Sequence, residues 1–115
     1  MKSYPTEYLE FINLFNDEKF FEAHEVLEEL WRHEKGVERE YYQGMIQIAA
    51  VFVHVQKKTP EGGKRLLQTS TKYLEKFQPA FMGINLEKLL PETAASLFEG
   101  KPFPRLSLER KSPRD

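Results

Sequence analysis

Cysteine is absent from the 115 residues. With it go disulfides, thiolate nucleophiles and Cys-ligated zinc, and such a chain suits a reducing compartment. No β-branched alternating run marks a strand, so no glycine-rich phosphate loop can follow one. Ser70 and the threonines fall in helical segments without a nucleophile elbow. The most apolar run, Met45 to Val55, is too short to cross a bilayer and contains Gln47 and His54, so it reads as a core helix rather than a membrane span. The opening MKSYPTEYLE carries neither a basic, apolar leader nor a cleavage site. A cytoplasmic location without a membrane partner is the default expectation.

What is present suits one folded domain. Hydrophobic residues make up 40% and charged residues 30%, and aromatic residues at 13% argue against disorder. A chain of this length forms a single core with a radius of gyration of roughly 13 Å. The net charge of −1 hides an asymmetry: residues 1–56 hold 5 basic and 11 acidic side chains, and residues 57–115 hold 12 and 7. The cations are scattered and carry no recognised nucleic-acid motif, so attraction between the two halves is the plainer reading.

The spacing of apolar residues predicts an all-α, compact bundle of about five helices over residues 1–100, followed by a tail at 101–115 with three prolines and alternating charges, either mobile or wrapped on the surface. The first helix starts at Ser3 with Pro5 in its opening turn and buries Tyr8, Phe11, Ile12 and Phe15. Asn16 and Asp17 turn the chain and cap a second helix that runs to about His33. A third spans Glu38 to Lys57. Thr59 and Pro60 start a fourth, reaching Phe77, whose inner face is Gly63, Leu66, Leu67, Ser70, Leu74 and Phe77. QPAFMGIN is a loop, and Asn85 caps a short helix that Pro91 kinks or splits.

On a wheel of about 100° per residue, Phe20, Ala23, Val26, Leu27, Leu30 and Trp31 form the apolar face of the second helix. His24 and Glu28 lie between Trp31 and Phe21, while Glu22, Glu25, Glu29, Arg32 and His33 face water. The third helix is apolar around almost its whole circumference and is expected to be central. Gln43, Gln47 and His54 interrupt it in one stripe about 40° wide, between Val51 and Ala50. Buried amides and imidazoles without partners cost about 1 to 3 kcal/mol each, so the stripe must meet polar groups, water or a ligand. His24 and Glu28 are the simplest partners.

The candidate ligand-binding set is therefore His24, Glu28, Gln43, Gln47 and His54, with Trp31 and Tyr41 or Tyr42 as walls. His24 and Glu28 are a titratable pair at one helical turn, as acid–base work requires. HEVLE differs from the H-E-x-x-H zinc signature in having Glu28 for the second histidine. A triad of His24, Glu28 and His54 would match a two-histidine, one-carboxylate iron site. Di-iron chemistry is excluded because Phe21, Leu30 and Val51 stand three residues ahead of the histidines, where glutamate is required. EGGKR, Glu61 to Arg65, opens a helix where an anion could bind or helices could pack. No cofactor is implied. A structural alternative is a polar network that only fixes helix packing, in an interaction module or homodimer.

The run His24-Glu25-x-x-Glu28-x-x-Trp31, with Phe15-Asn16 before it and Gln43-Gly44-x-x-Gln47 leading to His54 after it, resembles the bacterial and archaeal family known as domain of unknown function 309. The similarity spans about Phe11 to Leu90. It implies a bundle of about five helices and no established activity or catalytic residue. Gly63 departs from the small residue, such as alanine, expected there, and loosens the start of that helix.

Overall fold

Tyr8, Phe11, Ile12 and Phe15 recur at the spacing that puts them on one side of a helix, and the computed structural model, which describes residues 3–109, buries all four in α1, Thr6–Asn16. The helix begins at Thr6, with Pro5 as its N-cap, rather than at Ser3. Its end is closed by Glu18 in the left-handed region, φ 62°, with Lys19 N–H donating to the Leu14 carbonyl at 2.9 Å.

α2, Phe20–His33, therefore starts from Lys19 with no side-chain cap. Asn16 does not cap it as expected, because its amide is engaged by the far end of the chain. α3, Glu38–Lys57, is central: it packs on α2 and α4 and meets α5, and it buries Tyr41, Tyr42, Met45, Ile48, Ala49 and Phe52. Lys58, at φ 61°, ends it. α4, Pro60–Leu74, has Pro60 at its first position, where the missing N–H has no helical partner to lose. A 3₁₀ turn, Glu75–Phe77, follows and buries Phe77.

The expected loop contains a small antiparallel hairpin, β1 (Ala80–Phe81) with β2 (Ile84–Asn85), in register Ala80 with Asn85 and Phe81 with Ile84. Met82 and Gly83 both take positive φ, 47° and 81°, the requirement of a two-residue hairpin turn. Asn85 then caps α5, Leu86–Glu99, its Oδ1 accepting from Lys88 N–H at 3.0 Å. α5 runs on through Pro91 unsplit and ends at Gly100, φ 69°.

Residues 101–109 lie as an extended strap against the bundle. Phe103 packs its ring 5.1 Å from Phe20 and 5.3 Å from Phe52, and Pro104 and Leu106 are buried. Residues 110–115 fall outside the described region. Phe15, Phe20 and Phe52 form the centre of the core at ring separations of 5.0 to 5.7 Å, each burial contributing about 1.5–3 kcal/mol. The radius of gyration is 13.5 Å. Among the described residues no helix is long and apolar enough to cross a membrane.

Candidate functional site

α2 buries Phe20, Ala23 and Leu27, which leaves Phe21, His24, Glu28 and Trp31 as one stripe along its margin. Phe21 is 52% exposed, and its ring centroid stands 5.7 Å from the His24 ring. His24 and Glu28 are half-buried. His24 Nε2 lies 3.9 Å from Glu28 Oε2, beyond hydrogen-bond reach and at the limit of an ion pair. Glu28 is shared with Arg32, whose Nη2 is 3.5 Å from its other oxygen. His24 Nδ1 is buried and, among the described residues, has no hydrogen-bond partner.

Trp31 closes the stripe. The Arg39 guanidinium sits 4.2 Å above its ring and donates to the Trp31 carbonyl at 2.9 Å, so one cation both covers the indole and satisfies an end-of-helix acceptor.

The α3 residues turn elsewhere. Gln47 Oε1 accepts from the Thr69 hydroxyl of α4. His54 Nδ1 is paired with Thr59 Oγ1 at 2.7 Å, and its ring fills the space above Gly62 so closely that a Cβ there would collide with it. Gln43 is half-buried, and among the described residues its side chain makes no hydrogen bond. The expected pairing of His24 and Glu28 with this stripe is corrected: no hydrogen bond or ion pair joins the two groups among the described residues. The reason lies on the α3 wheel, where the stripe adjoins Val51 and Gly44, the positions that meet α4. A Cβ on Gly44 would stand 2.6 Å from Leu74, and one on Gly63 would stand 3.6 Å from the Val51 carbonyl.

Register nevertheless sets the two groups at similar heights. Phe20 meets Phe52 and Trp31 meets Arg39, so α2 and α3 run antiparallel. Stepping along both helices from these contacts brings Glu28 level with Gln43, and His24 level with Gln47. The iron triad fails the same test of geometry: among the described residues no group of three or more His, Cys, Asp or Glu side chains could hold a metal ion.

Sequence reasoning missed the hydrogen bonds that join two tyrosines in the core. The Tyr8 and Tyr41 hydroxyls lie 2.6 Å apart, and Tyr8 donates to the Met82 carbonyl at 2.9 Å. Burial pushes the Tyr8 and Tyr41 phenols well above their ordinary range, although the Tyr41 hydrogen bond pulls Tyr8 partly back. Tyr8 was legible as a core aromatic, whereas Tyr41 and Tyr42, expected as walls of the polar set, are buried in the core, with Tyr41 against Tyr8, Phe77 and Phe81; what pointed to a polar handle was only that these residues are tyrosine rather than phenylalanine.

The model of the family described as "Domain of unknown function (DUF309)" matches residues 8–66, from α1 into α4. The chain is 32% identical over 100 residues to the uncharacterized protein YpuF of Bacillus subtilis (strain 168). That match covers 84% of this chain and 57% of YpuF, so the chain spans little more than half of that relative's length. The crystal structure of a conserved hypothetical protein from Thermus thermophilus superposes with a TM-score of 0.70 at 32% identity, over 83% of this chain and 98% of that one. Spanning more than half of the sequence, the family match holds the His24–Glu28–Trp31 helix and the Gln43–Gln47–His54 helix together, and the chain belongs to the DUF309 family.

Proposed function

We propose that the protein binds a small polar ligand along α2 where it flanks α3, with His24 as the main hydrogen-bonding group, Glu28 beside it and Trp31 as an apolar wall. Gln43 and Gln47 lie at the same heights on α3, and His54 lies beyond them. The observation that carries this reading is the buried, unpartnered Nδ1 of His24. An orphaned buried nitrogen costs about 1–3 kcal/mol, and a group kept at such a cost calls for a use. Gln43, half-buried and without a side-chain bond among the described residues, supports the same reading.

A second reading has its own support. The Gln47–Thr69 and His54–Thr59 bonds are satisfied within the bundle, as expected of groups that only set the packing of α3 on α4. On this reading Gln47 and His54 serve packing, while His24, Glu28 and Gln43 are left for a ligand. The scattered cations speak against nucleic acid, and a cysteine-free chain suits the cytoplasm.

The test is a thermal-shift screen with small carboxylates, amides, amines and phosphates as probes. A probe that binds only the folded chain raises its stability by about 2.7 kcal/mol at one hundred times Kd. At least one probe is expected to protect the wild type and not His24→Ala. Equal protection of both, or no protection by any probe together with unmoved His24 imidazole ¹⁵N signals, overturns the reading.

A further inference from the structure

A cavity of about 290 Å³ opens where the chain enters α1, leaves α2 and turns the hairpin, and Tyr4, Glu34, Glu38, Tyr42 and Met82 line it. Tyr42 is 1% exposed, its ring packed 6.2 Å from that of Tyr8 and 6.0 Å from that of Tyr41. Its hydroxyl makes no hydrogen bond among the described residues, unlike those of Tyr8 and Tyr41. A buried phenol ordinarily finds a partner, so an unpartnered one in the wall of a cavity calls for a ligand.

The surroundings fix the charge of that ligand. Glu34 Oε2 and Glu38 Oε1 each lie 3.1 Å from the Cβ position of Gly36, so two half-buried carboxylates are gathered at one spot. Among the described residues neither joins an ion pair. Arg39 is already spent on the Trp31 ring and on the Trp31 and Glu34 carbonyls. Burial and the charges of Glu34, Glu38 and Glu7 together hold the Tyr42 phenol above its ordinary range, so three carboxylates bear on this space. Glu38 suits the first turn of α3, and Glu34 Oε2 accepts from the Gly36 N–H at 3.0 Å, but neither role employs the Tyr42 hydroxyl. We propose that the cavity binds a small primary amine in its ammonium form. The two carboxylates and the Tyr42 hydroxyl supply three acceptors for its three N–H donors, and the Tyr4 ring and Met82 give its hydrocarbon part an apolar wall. The proposal does not rest on the ligand reading at His24.

The probe is n-butylammonium, titrated into the wild type at neutral pH and about 0.15 M salt, which screens weak attraction to surface carboxylates. NMR follows the Tyr4 and Tyr42 ring signals and the amides of Glu34 and Glu38. Saturable shifts with a Kd of about 1 mM are expected there, with the His24 ring signals unmoved. Butan-1-ol has the same shape without the charge and is expected to bind about tenfold more weakly or worse, as is n-butylammonium to the double variant Glu34→Gln, Glu38→Gln. The core signals of Phe15 and Phe52 report whether this variant is folded; where it is not, the comparison with butan-1-ol in the wild type stands. No saturable shift up to about 50 mM n-butylammonium, shifts at His24 in place of Tyr42, or equal affinity for butan-1-ol overturns the proposal, as does undiminished binding by the folded double variant.

Discussion

The hydroxyl oxygens of Tyr8 and Tyr41 meet at 2.6 Å across 33 residues of sequence, and the Tyr8 proton is committed to the Met82 carbonyl 2.9 Å away. Tyr41 therefore donates to Tyr8, and the chain of bonds ties α1, α3 and the hairpin turn together. Tyr8→Phe removes the middle member and strands the Tyr41 hydroxyl and the Met82 carbonyl. A loss of about 1–3 kcal/mol is expected, against about 1 kcal/mol for Tyr41→Phe, which removes only the terminal donor. Urea unfolding measures both.

The same tyrosines set an alkaline limit. Tyr8 and Tyr41 are raised by burial above the ordinary value of 10.0, and burial, with Glu34 and Glu38 adding, pushes Tyr42 up to about 12. In the unfolded chain these phenols release their protons near pH 10, before the folded chain does, so the folded form binds more protons in that window. Stability is then constant in this respect below about pH 10 and falls as pH rises toward the folded values. Unfolding free energies from pH 8 upward, compared with the absorbance of ionised tyrosine, check the sign; a rise in stability above pH 10 contradicts it.

Asn16→Ala removes both bonds to Leu106 and leaves that partly buried backbone N–H and carbonyl unpartnered. The expected loss is about 1–3 kcal/mol, accompanied by faster amide exchange at Leu106 and Glu109. Unchanged exchange there would show that Phe103 and Leu106 alone hold the strap.

Gly44 and Gly62 separate packing from function. A Cβ at Gly44 meets Leu74 at 2.6 Å and Tyr73 at 3.1 Å, so Gly44→Ala overpacks the α3–α4 seam. It should cost about 1–3 kcal/mol, more than the ~1 kcal/mol that alanine adds in helix propensity. At Gly62 the obstacle is the movable His54 ring. Gly62→Ala should change stability by less than about 1 kcal/mol while displacing His54 from Thr59, which the His54 ring NMR signals report.

The elements legible in the sequence were those whose signal is local. Tyr8, Phe11, Ile12 and Phe15 show one helical face, and all are buried; Asn85 caps α5 as its position before Leu86 implies. Gly63 is buried with Leu97 3.0 Å from its Cβ position, so close helix approach, not a loosened start, explains it. What the sequence hid depends on distant partners. Asn16 looks like a cap, but its amide is spent on a residue 90 positions away. The two-residue strands are too short to show alternation, and only Gly83 in the Met82–Gly83 turn hinted at them. The polar stripe of α3 was visible, but which neighbour it faces is set by the close approach at Gly44 and Gly63, which no wheel displays.

The measurement that bears most directly on His24 as a binding group is the unfolding free energy of His24→Leu in the absence of any added ligand. If His24 is retained for binding, leucine removes an orphaned buried nitrogen at similar volume, and stability rises by up to about 1 kcal/mol. A fall of about 1–3 kcal/mol, the signature of a histidine whose ring is a satisfied part of the bundle, would contradict it.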